Sequence, residues 1–198
     1  MTFLLLGILV IALGAQIFLR FFCVNLRNTN LLRIYEYIFY FSIAAVFSLL
    51  AYYSYQQYVA WQSIEPSKFL LPPYQSISYF FKYLGARLFA PYLISLSAAI
   101  LFLFTAKKLN KKYEERFFEP EELWFGALAI FLVGHPGWLF YFTSLILIYF
   151  LIHIFSFLIS HFSSFRISLY YLWLPLAIFV ILINKWLVEL EVWKLLKI

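Results

Sequence analysis

The sequence predicts an all-α, polytopic transmembrane bundle of about six helices, and three observations support this fold class. First, 65% of the 198 residues are hydrophobic, only 12% are charged, and the mean hydropathy is +0.89. A soluble domain of this size needs more polar residues to cover its surface. Second, the apolar residues form runs long enough to span a bilayer, unlike the short alternating segments of β proteins. Third, no polar stretch is long enough to fold alone, so residues 1–198 are expected to form one membrane domain.

The individual helices are expected where the apolar runs lie between polar or proline-containing segments. The apolar run near the N-terminus lacks the basic region of a signal peptide and is interpreted as a retained first helix. Pro175 is expected to kink the sixth helix. The predicted helices cover about residues 2–19, 32–58, 79–106, 120–133, 138–162 and 167–183, followed by an amphipathic tail at 184–198.

The fourth of these helices is short. Pro120 suits its first turn, and the sequence Gly134-His-Pro-Gly137 ends it after about 14 residues. A spanning helix needs about 20 residues, so this one is expected to be partly buried, broken or located in a thin part of the bilayer.

The basic residues predict the orientation in the membrane. Loops one, three and five are expected to be cytoplasmic and both termini outside, in a bacterial-type cytoplasmic membrane or, alternatively, an organelle inner membrane. Lys107, Lys108, Lys111 and Lys112 could also bind anionic lipid, or could simply form part of a positive-inside loop. Nine of the 15 basic residues lie in these three loops: Arg20, Arg27, Arg33, Lys107, Lys108, Lys111, Lys112, Arg116 and Arg166.

Several kinds of chemistry are excluded or disfavoured by composition. The chain contains no aspartate, which excludes an aspartate dyad and an Asp-containing triad. The single Cys23 excludes an internal disulfide and a cysteine-based metal centre within the chain. His153 and His161 lack the i, i+4 spacing of a zinc pair. We therefore expect no metal and no cofactor, and the net charge of +6 reflects loop topology rather than nucleic-acid binding.

Three residues are candidates for a functional site: Glu36, Glu122 and His135. Glu36 lies in the first turn of the second helix, and an ionisable group within a span is a functional candidate. Alternatively, Glu36 pairs with Arg33 near the headgroups. His135 could respond to protons or contact a substrate at a helix break, or it could simply face solvent in a tight turn.

Two segments resemble the six-helix type IV prepilin peptidase family. Asn25-Leu-Arg-Asn-Thr-Asn-Leu-Leu-Arg33 resembles the family's Asp-Leu-Arg-Thr-Arg-x-Ile-Pro-Asn-like segment. Glu119-Pro-Glu-Glu122 opens a short helix ending at Gly134, similar to the family's Gly-x-Gly-Asp segment and its short helix. Leu174-Pro175 is similar to a proline-containing segment of the family's sixth helix.

The resemblance implies that the family's two catalytic aspartates correspond to Asn25 and Glu122. Aspartyl proteolysis needs two carboxylates that share a proton, and Asn25 cannot ionise. Neither glycine of the second motif is present, and residues 61–78 lengthen the spacing between the two motifs. The resemblance therefore implies a relative without peptidase activity.

Three functions remain open, and the first is favoured because it requires no catalytic set. The chain could be a non-enzymatic multi-pass membrane protein, a subunit or assembly factor that contacts other membrane subunits. It could be a small transporter or channel that uses the helix break at Gly134–Gly137. It could also be a catalytically degenerate prepilin-peptidase-like protein, or an enzyme acting on lipid, with Glu36, Glu121, Glu122 and His135 as candidate residues.

Overall fold

The computed structural model of the chain describes residues 1–22, 29–114, 118–159 and 169–196. Within these ranges every regular element is helical and no strand occurs. Five helical segments are long and apolar enough to cross a membrane: Thr2–Arg20, Leu32–Ser63, Ile77–Lys112, Gly137–Phe155 and Leu169–Leu187. The predicted all-α transmembrane bundle is therefore confirmed.

Eight α-helices make up the described structure. A π-helical turn, Gly85–Phe89, joins the third and fourth helices into one continuous rod, Ile77–Lys112, called here the α3–α4 rod. Short 3-10 turns occur at Ser67–Leu70 and Leu169–Tyr171. The helices are α1 (Thr2–Phe22), α2 (Thr29–Ser63), α3 (Ile77–Leu84), α4 (Ala90–Lys112), α5 (Pro120–Val133), α6 (Gly137–Ile159), α7 (Trp173–Leu187) and α8 (Glu191–Leu196).

Two helical segments are longer than the sequence predicted. α2 continues to Ser63 instead of ending near residue 58, and the α3–α4 rod continues to Lys112 instead of ending near residue 106. The extra residues of the rod are mainly polar and those of α2 are mixed, but neither set includes a proline or a glycine that would stop a helix. A change to polar composition marks where a helix leaves the apolar part of a bilayer, not where the helix ends.

The C-terminal region also differs from the prediction. α7 begins at Trp173, so Pro175 lies in its first turn, where the missing N–H needs no partner and produces no kink. The helix continues to Leu187. A turn and then the short α8 follow, in place of one continuous amphipathic helix.

The short helix α5 lies at the centre of the bundle. α1, α2, α4, α6 and α7 all contact it. Every residue from Phe125 to Leu132 is buried, which is typical of a helix that is apolar all round. Of the possibilities expected for this helix, burial is the one observed.

α5 runs antiparallel to α4 over almost the whole thickness of the bundle. Phe118, just before α5, bonds to Asn110, and the His135 N–H, just after it, donates to the Pro91 carbonyl at 3.3 Å. Pro91 and Asn110 are about 28 Å apart along α4, close to the thickness of a bilayer's hydrocarbon core. The bundle therefore has two ends, called here the Arg20 end, where α5 begins, and the His135 end, where α5 finishes.

Candidate functional site

The three sequence-based candidates lie in two separate regions. Glu122 is in the first turn of α5, and His135 follows its last turn. Thirteen residues of near-helical chain separate them by about 20 Å. Glu36, near the start of α2, lies on the same side as Glu122. One site that joins all three side chains is therefore ruled out by geometry.

Glu122 stabilises the start of α5. Its carboxylate accepts a hydrogen bond from the Glu119 backbone N–H at 3.1 Å, and the Glu119 side chain accepts the N–H of Glu122. This reciprocal pair is a capping box, which satisfies two backbone donors that a helix start leaves without partners. Glu122 is only 3% exposed, and the cap gives this buried carboxylate a structural role.

Arg20 connects α1 to the start of α5 and to the 3-10 turn that precedes α7. Its Nη1 donates to Glu119 Oε2 at 3.1 Å, and its guanidinium lies 4.9 Å from the centre of the Tyr170 ring. Tyr170 is buried and is hydrogen-bonded to Tyr35 of α2. These contacts hold four helices together at the Arg20 end.

Glu36 is half-buried and interacts with a tyrosine instead of the predicted arginine. Its carboxylate interacts with Tyr40, one turn further along α2. Within the described residues the only ion pair is Arg20–Glu119, so Arg33 does not pair with Glu36. The Tyr40 ring lies 6.3 Å from the Trp124 ring of α5, and the Lys107 ammonium lies 4.8 Å from that same indole.

Some sequence-based expectations concern residues outside the described ranges. Cys23, Asn25 and His161 are among them, so the Asn25–Glu122 correspondence implied by the resemblance has no measured geometry. His153 is described and stacks against Tyr149, with 5.7 Å between ring centres. In the part of the chain that the structure describes, no three potential metal-ligating side chains come together.

A pocket occupies the His135 end. It has a volume of about 590 Å³ and lies where the π-helical turn, the α5–α6 turn and the α7–α8 turn meet. π-helical turns are often found at functional sites. Its lining residues are Tyr83, Ala86, Arg87, Pro91, His135, Pro136, Val188 and Trp193.

His135 holds α8 against the α5–α6 turn. Its Nε2 lies 2.9 Å from the Leu196 carbonyl oxygen, which can only accept, so Nε2 carries the proton. The buried Nδ1 has no hydrogen-bond partner among the described residues. Trp193 of α8 is also buried, with its ring 5.3 Å from that of Phe140.

Glycine is favoured at two positions of this turn, for a different structural reason at each. Gly134 has a φ of 73°, in the left-handed region that favours glycine. A Cβ on Gly137 would lie 2.8 Å from Val133 Cγ1 and 3.5 Å from the Trp193 ring. Gly134 and Gly137 therefore allow α5 to reverse into α6 beneath α8.

A feature that sequence reasoning did not identify is a helical hairpin that extends beyond the His135 end. We call residues 54–89 the protruding hairpin. The Met1 ammonium donates to the Tyr53 hydroxyl at 3.1 Å, so α2 continues for ten residues, about 15 Å, past the level where α1 begins. On the opposite rod, the residues before Pro91 extend about 20 Å past the end of α5.

The protruding hairpin has a small core of its own. Trp61 of α2 packs against Phe80 and Tyr83, with ring centres 5.2 and 4.9 Å apart. Leu71 and Leu84 are buried in the same cluster. One feature of the sequence points to this core: Trp61 lies close to three prolines, Pro66, Pro72 and Pro73, where the chain reverses.

Comparisons with protein-family models, with characterised proteins and with solved structures give no match for this chain.

Proposed function

We propose that this protein is a non-enzymatic multi-pass membrane protein, a subunit or assembly factor of a membrane complex, that binds a partner protein through its protruding hairpin. One observation carries the proposal: two long helices extend past the level of the bundle and are fixed there by the Trp61 core. A hairpin fixed in this way is preorganised, so binding requires little further ordering.

The lengths of the two helical segments support exposure of the hairpin to water. α2 has 35 residues and the α3–α4 rod has 36. Helices of this length span more than 50 Å, whereas the hydrocarbon core is about 30 Å thick. Even a tilt of about 40° leaves roughly 10 Å or more outside the core.

The surface chemistry of the hairpin suits a protein partner. Tyr and Trp offer large amphipathic contact areas at low conformational entropy, and exposed aromatic groups in water mark interaction surfaces. Only Lys68, Lys82, Arg87 and Glu65 are charged in residues 54–89, so a polar, mildly acidic partner surface fits best. The exposed aromatic side chains are Tyr55 (66%), Phe69 (47%), Tyr74 (59%), Tyr79 (47%) and Phe81 (63%).

The interior of the bundle favours this function over transport. A hydrophilic pathway needs polar groups along it, but α5 is apolar and buried from Phe125 to Leu132. The buried Ser42 and Ser95 donate to backbone carbonyls of Ile38 and of Tyr92 and Phe131. These hydroxyls contribute to helix packing and do not line a route across the bundle.

The proposed orientation follows from the basic residues. With the Arg20 end in the cytoplasm, Lys107, Lys108, Lys111 and Lys112 would lie at the inner headgroups, where they can contact anionic lipid. The protruding hairpin would then lie on the outer side. A relationship to the prepilin peptidase family stays a prediction and is compatible with a non-catalytic role.

Site-specific photo-crosslinking in native membranes tests the proposed function. A benzophenone side chain is placed at Tyr55 or Tyr79, and a control is placed at Phe104, which is 66% exposed on α4 between the two ends. We expect one discrete protein adduct, of the same mass, from both hairpin positions and not from Phe104. Combining Tyr55→Ser with a crosslinker at Tyr79 should weaken that adduct. An absence of protein adducts, or adducts only between two copies of this chain, would contradict the proposal.

A further inference from the structure

The pocket at the His135 end has the size and lining of a ligand site. Its volume of about 590 Å³ lies in the range of small-molecule pockets, roughly 300–1,000 Å³. Its walls combine aromatic and aliphatic groups with Arg87 and His135, and no acidic side chain is among the residues that line it. The pocket therefore presents a cation to an open cavity.

Arg87 is held in place but keeps donors for a ligand. Its Nη1 donates to the Tyr83 hydroxyl at 3.1 Å, and the guanidinium lies 5.7 Å from the centre of the same ring. Tyr83 is itself fixed, because it packs against Trp61 in the hairpin core. No carboxylate among the described residues forms an ion pair with Arg87. A guanidinium has five N–H donors in a planar fork that matches a phosphate group.

A second source of positive potential adjoins the pocket. α6 begins at Gly137, directly after the pocket residue Pro136, and has 23 residues. The first turn of a helix carries a partial positive charge, which favours anions, while the Trp138 and Leu139 N–H groups of this turn donate to the Gly134 and Pro136 carbonyls. Arg87 and Pro136, the residue that precedes this helix, belong to different elements, and both line the same cavity.

The position of the pocket indicates where the anion comes from. Pro91, in its wall, lies about one hydrocarbon thickness from Asn110 along α4, which places the pocket near headgroup level. Val188 in the wall and Leu195 on α8 are exposed apolar groups at 40% and 85%. They can contact acyl chains while the headgroup occupies the cavity.

We infer that this pocket binds a phosphate group through Arg87, most naturally the phosphate of a membrane lipid headgroup. Tyr83, Ala86 and Arg87 belong to the protruding hairpin, but this inference does not depend on the proposed partner, because lipid binding is measured on the purified protein without it.

Lipid binding to the purified protein, measured by native mass spectrometry, tests the inference. The probes are phosphatidylglycerol and diacylglycerol with the same acyl chains, which differ in the phosphate-bearing headgroup. We expect wild-type protein to retain phosphatidylglycerol selectively and Arg87→Gln to retain roughly tenfold less, as expected for loss of a charge-assisted contact. Lys82→Gln is the matched control, because Lys82 is an exposed cation on the same rod that does not line the pocket.

A second variant reduces the volume of the cavity and keeps every charge. Ala86→Phe narrows the pocket and should reduce phosphatidylglycerol retention with an unchanged circular dichroism spectrum. Millimolar inorganic phosphate distinguishes the sources: displacement of the lipid assigns the site to phosphate in general, and no displacement assigns it to the lipid. Equal losses in Arg87→Gln and Lys82→Gln would overturn the inference, as would full retention in Arg87→Gln or Ala86→Phe.

Discussion

Gly126 shows how closely the helices pack around α5. A Cβ at this position would lie 2.5 and 2.8 Å from two atoms of the Phe102 ring and 3.0 Å from Trp173. Small residues on one helix let large residues of its neighbours approach the backbone. We expect Gly126→Ala to reduce the free energy of unfolding by about 1–3 kcal/mol, since the Phe102 ring must move. Thermal unfolding in detergent measures the change.

Gly14→Ala is the matched control for this substitution. Gly14 also lies within a helix, but a Cβ there would meet nothing within 4 Å. Alanine favours a helix by up to about 1 kcal/mol over glycine, so Gly14→Ala should leave stability unchanged or raise it. Equal destabilisation by both substitutions would show that α4 and α7 do not enclose α5 as described.

Asn110 controls where the chain enters α5. Its Nδ2 donates to the Phe118 carbonyl at 2.7 Å, and its Oδ1 accepts the Phe118 N–H at 3.0 Å. Asn110 is 5% exposed, so removing it leaves two backbone groups without these partners. We expect Asn110→Ala to cost about 1–3 kcal/mol. Denaturant unfolding should show this loss, and the exposed Asn184→Ala should show almost none.

At the residue scale, the sequence identifies residues that have a particular structural role, but it does not predict what each role is. The sequence marks Glu122 as an acidic residue that opens a short helix, but the capping box depends on the backbone geometry of the turn. The pairing of Glu36 with Arg33 that the sequence suggests is absent from the described residues, and Glu36 interacts with Tyr40 instead. The pocket around His135 could not be predicted, because Arg87 and Trp193 come from distant parts of the chain.

At the element scale, the start of α5 offers a test of what Glu122 does. Glutamine can replace glutamate in a capping box, because its side-chain oxygen also accepts the backbone N–H. Glu122→Gln should therefore be less destabilising than Glu122→Ala, which loses about 1 kcal/mol of capping. Thermal unfolding of the two variants decides the order. Equal losses would indicate that the negative charge, rather than the cap, is what stabilises the fold.

The protruding hairpin should unfold independently of the bundle. Trp61→Ala removes the centre of its small core, and burial of a tryptophan is worth roughly 3 kcal/mol or more. We expect hydrogen exchange to rise in residues 64–84 and to stay unchanged in α5, since the two cores are separate clusters.

Trp186→Ala is the control, because Trp186 is 66% exposed on α7. It should change exchange in neither core. Increased exchange across α5 in Trp61→Ala would mean that the hairpin and the bundle form one cooperative unit.

The elements themselves were predictable where they depended on local chemistry. The end of α5 at Gly134 and the start at Pro120 follow from the sequence, because glycine and proline limit the backbone directly. The extension of α2 over residues 59–63 was not predicted, because this short mixed segment has neither a long apolar run nor a helix-breaking residue. The sequence predicts a kink at Pro175 instead of a first-turn position, because no glycine or proline just before Trp173 marks where α7 begins.

At the scale of the whole molecule, composition alone predicted a helical membrane bundle, because few polar residues and long apolar runs suit no other solvent. The buried position of α5 was one of several possibilities, since length shows that a helix is short but not what surrounds it. The protruding hairpin depends on how far α2 and the α3–α4 rod extend relative to α1 and α5. That comparison requires the assembled bundle.

Cysteine accessibility in intact cells tests most directly that the chain crosses a membrane with its two ends on opposite sides. In a Cys23→Ser background, single cysteines are introduced as Gln75→Cys at the tip of the protruding hairpin, Lys111→Cys at the Arg20 end and Phe104→Cys between them. With a membrane-impermeant maleimide we expect labelling of Gln75→Cys in intact cells, labelling of Lys111→Cys only after permeabilisation, and labelling of Phe104→Cys in neither condition. Labelling of Gln75→Cys and Lys111→Cys from the same side, or efficient labelling of Phe104→Cys, would contradict a membrane-spanning bundle with an exposed hairpin.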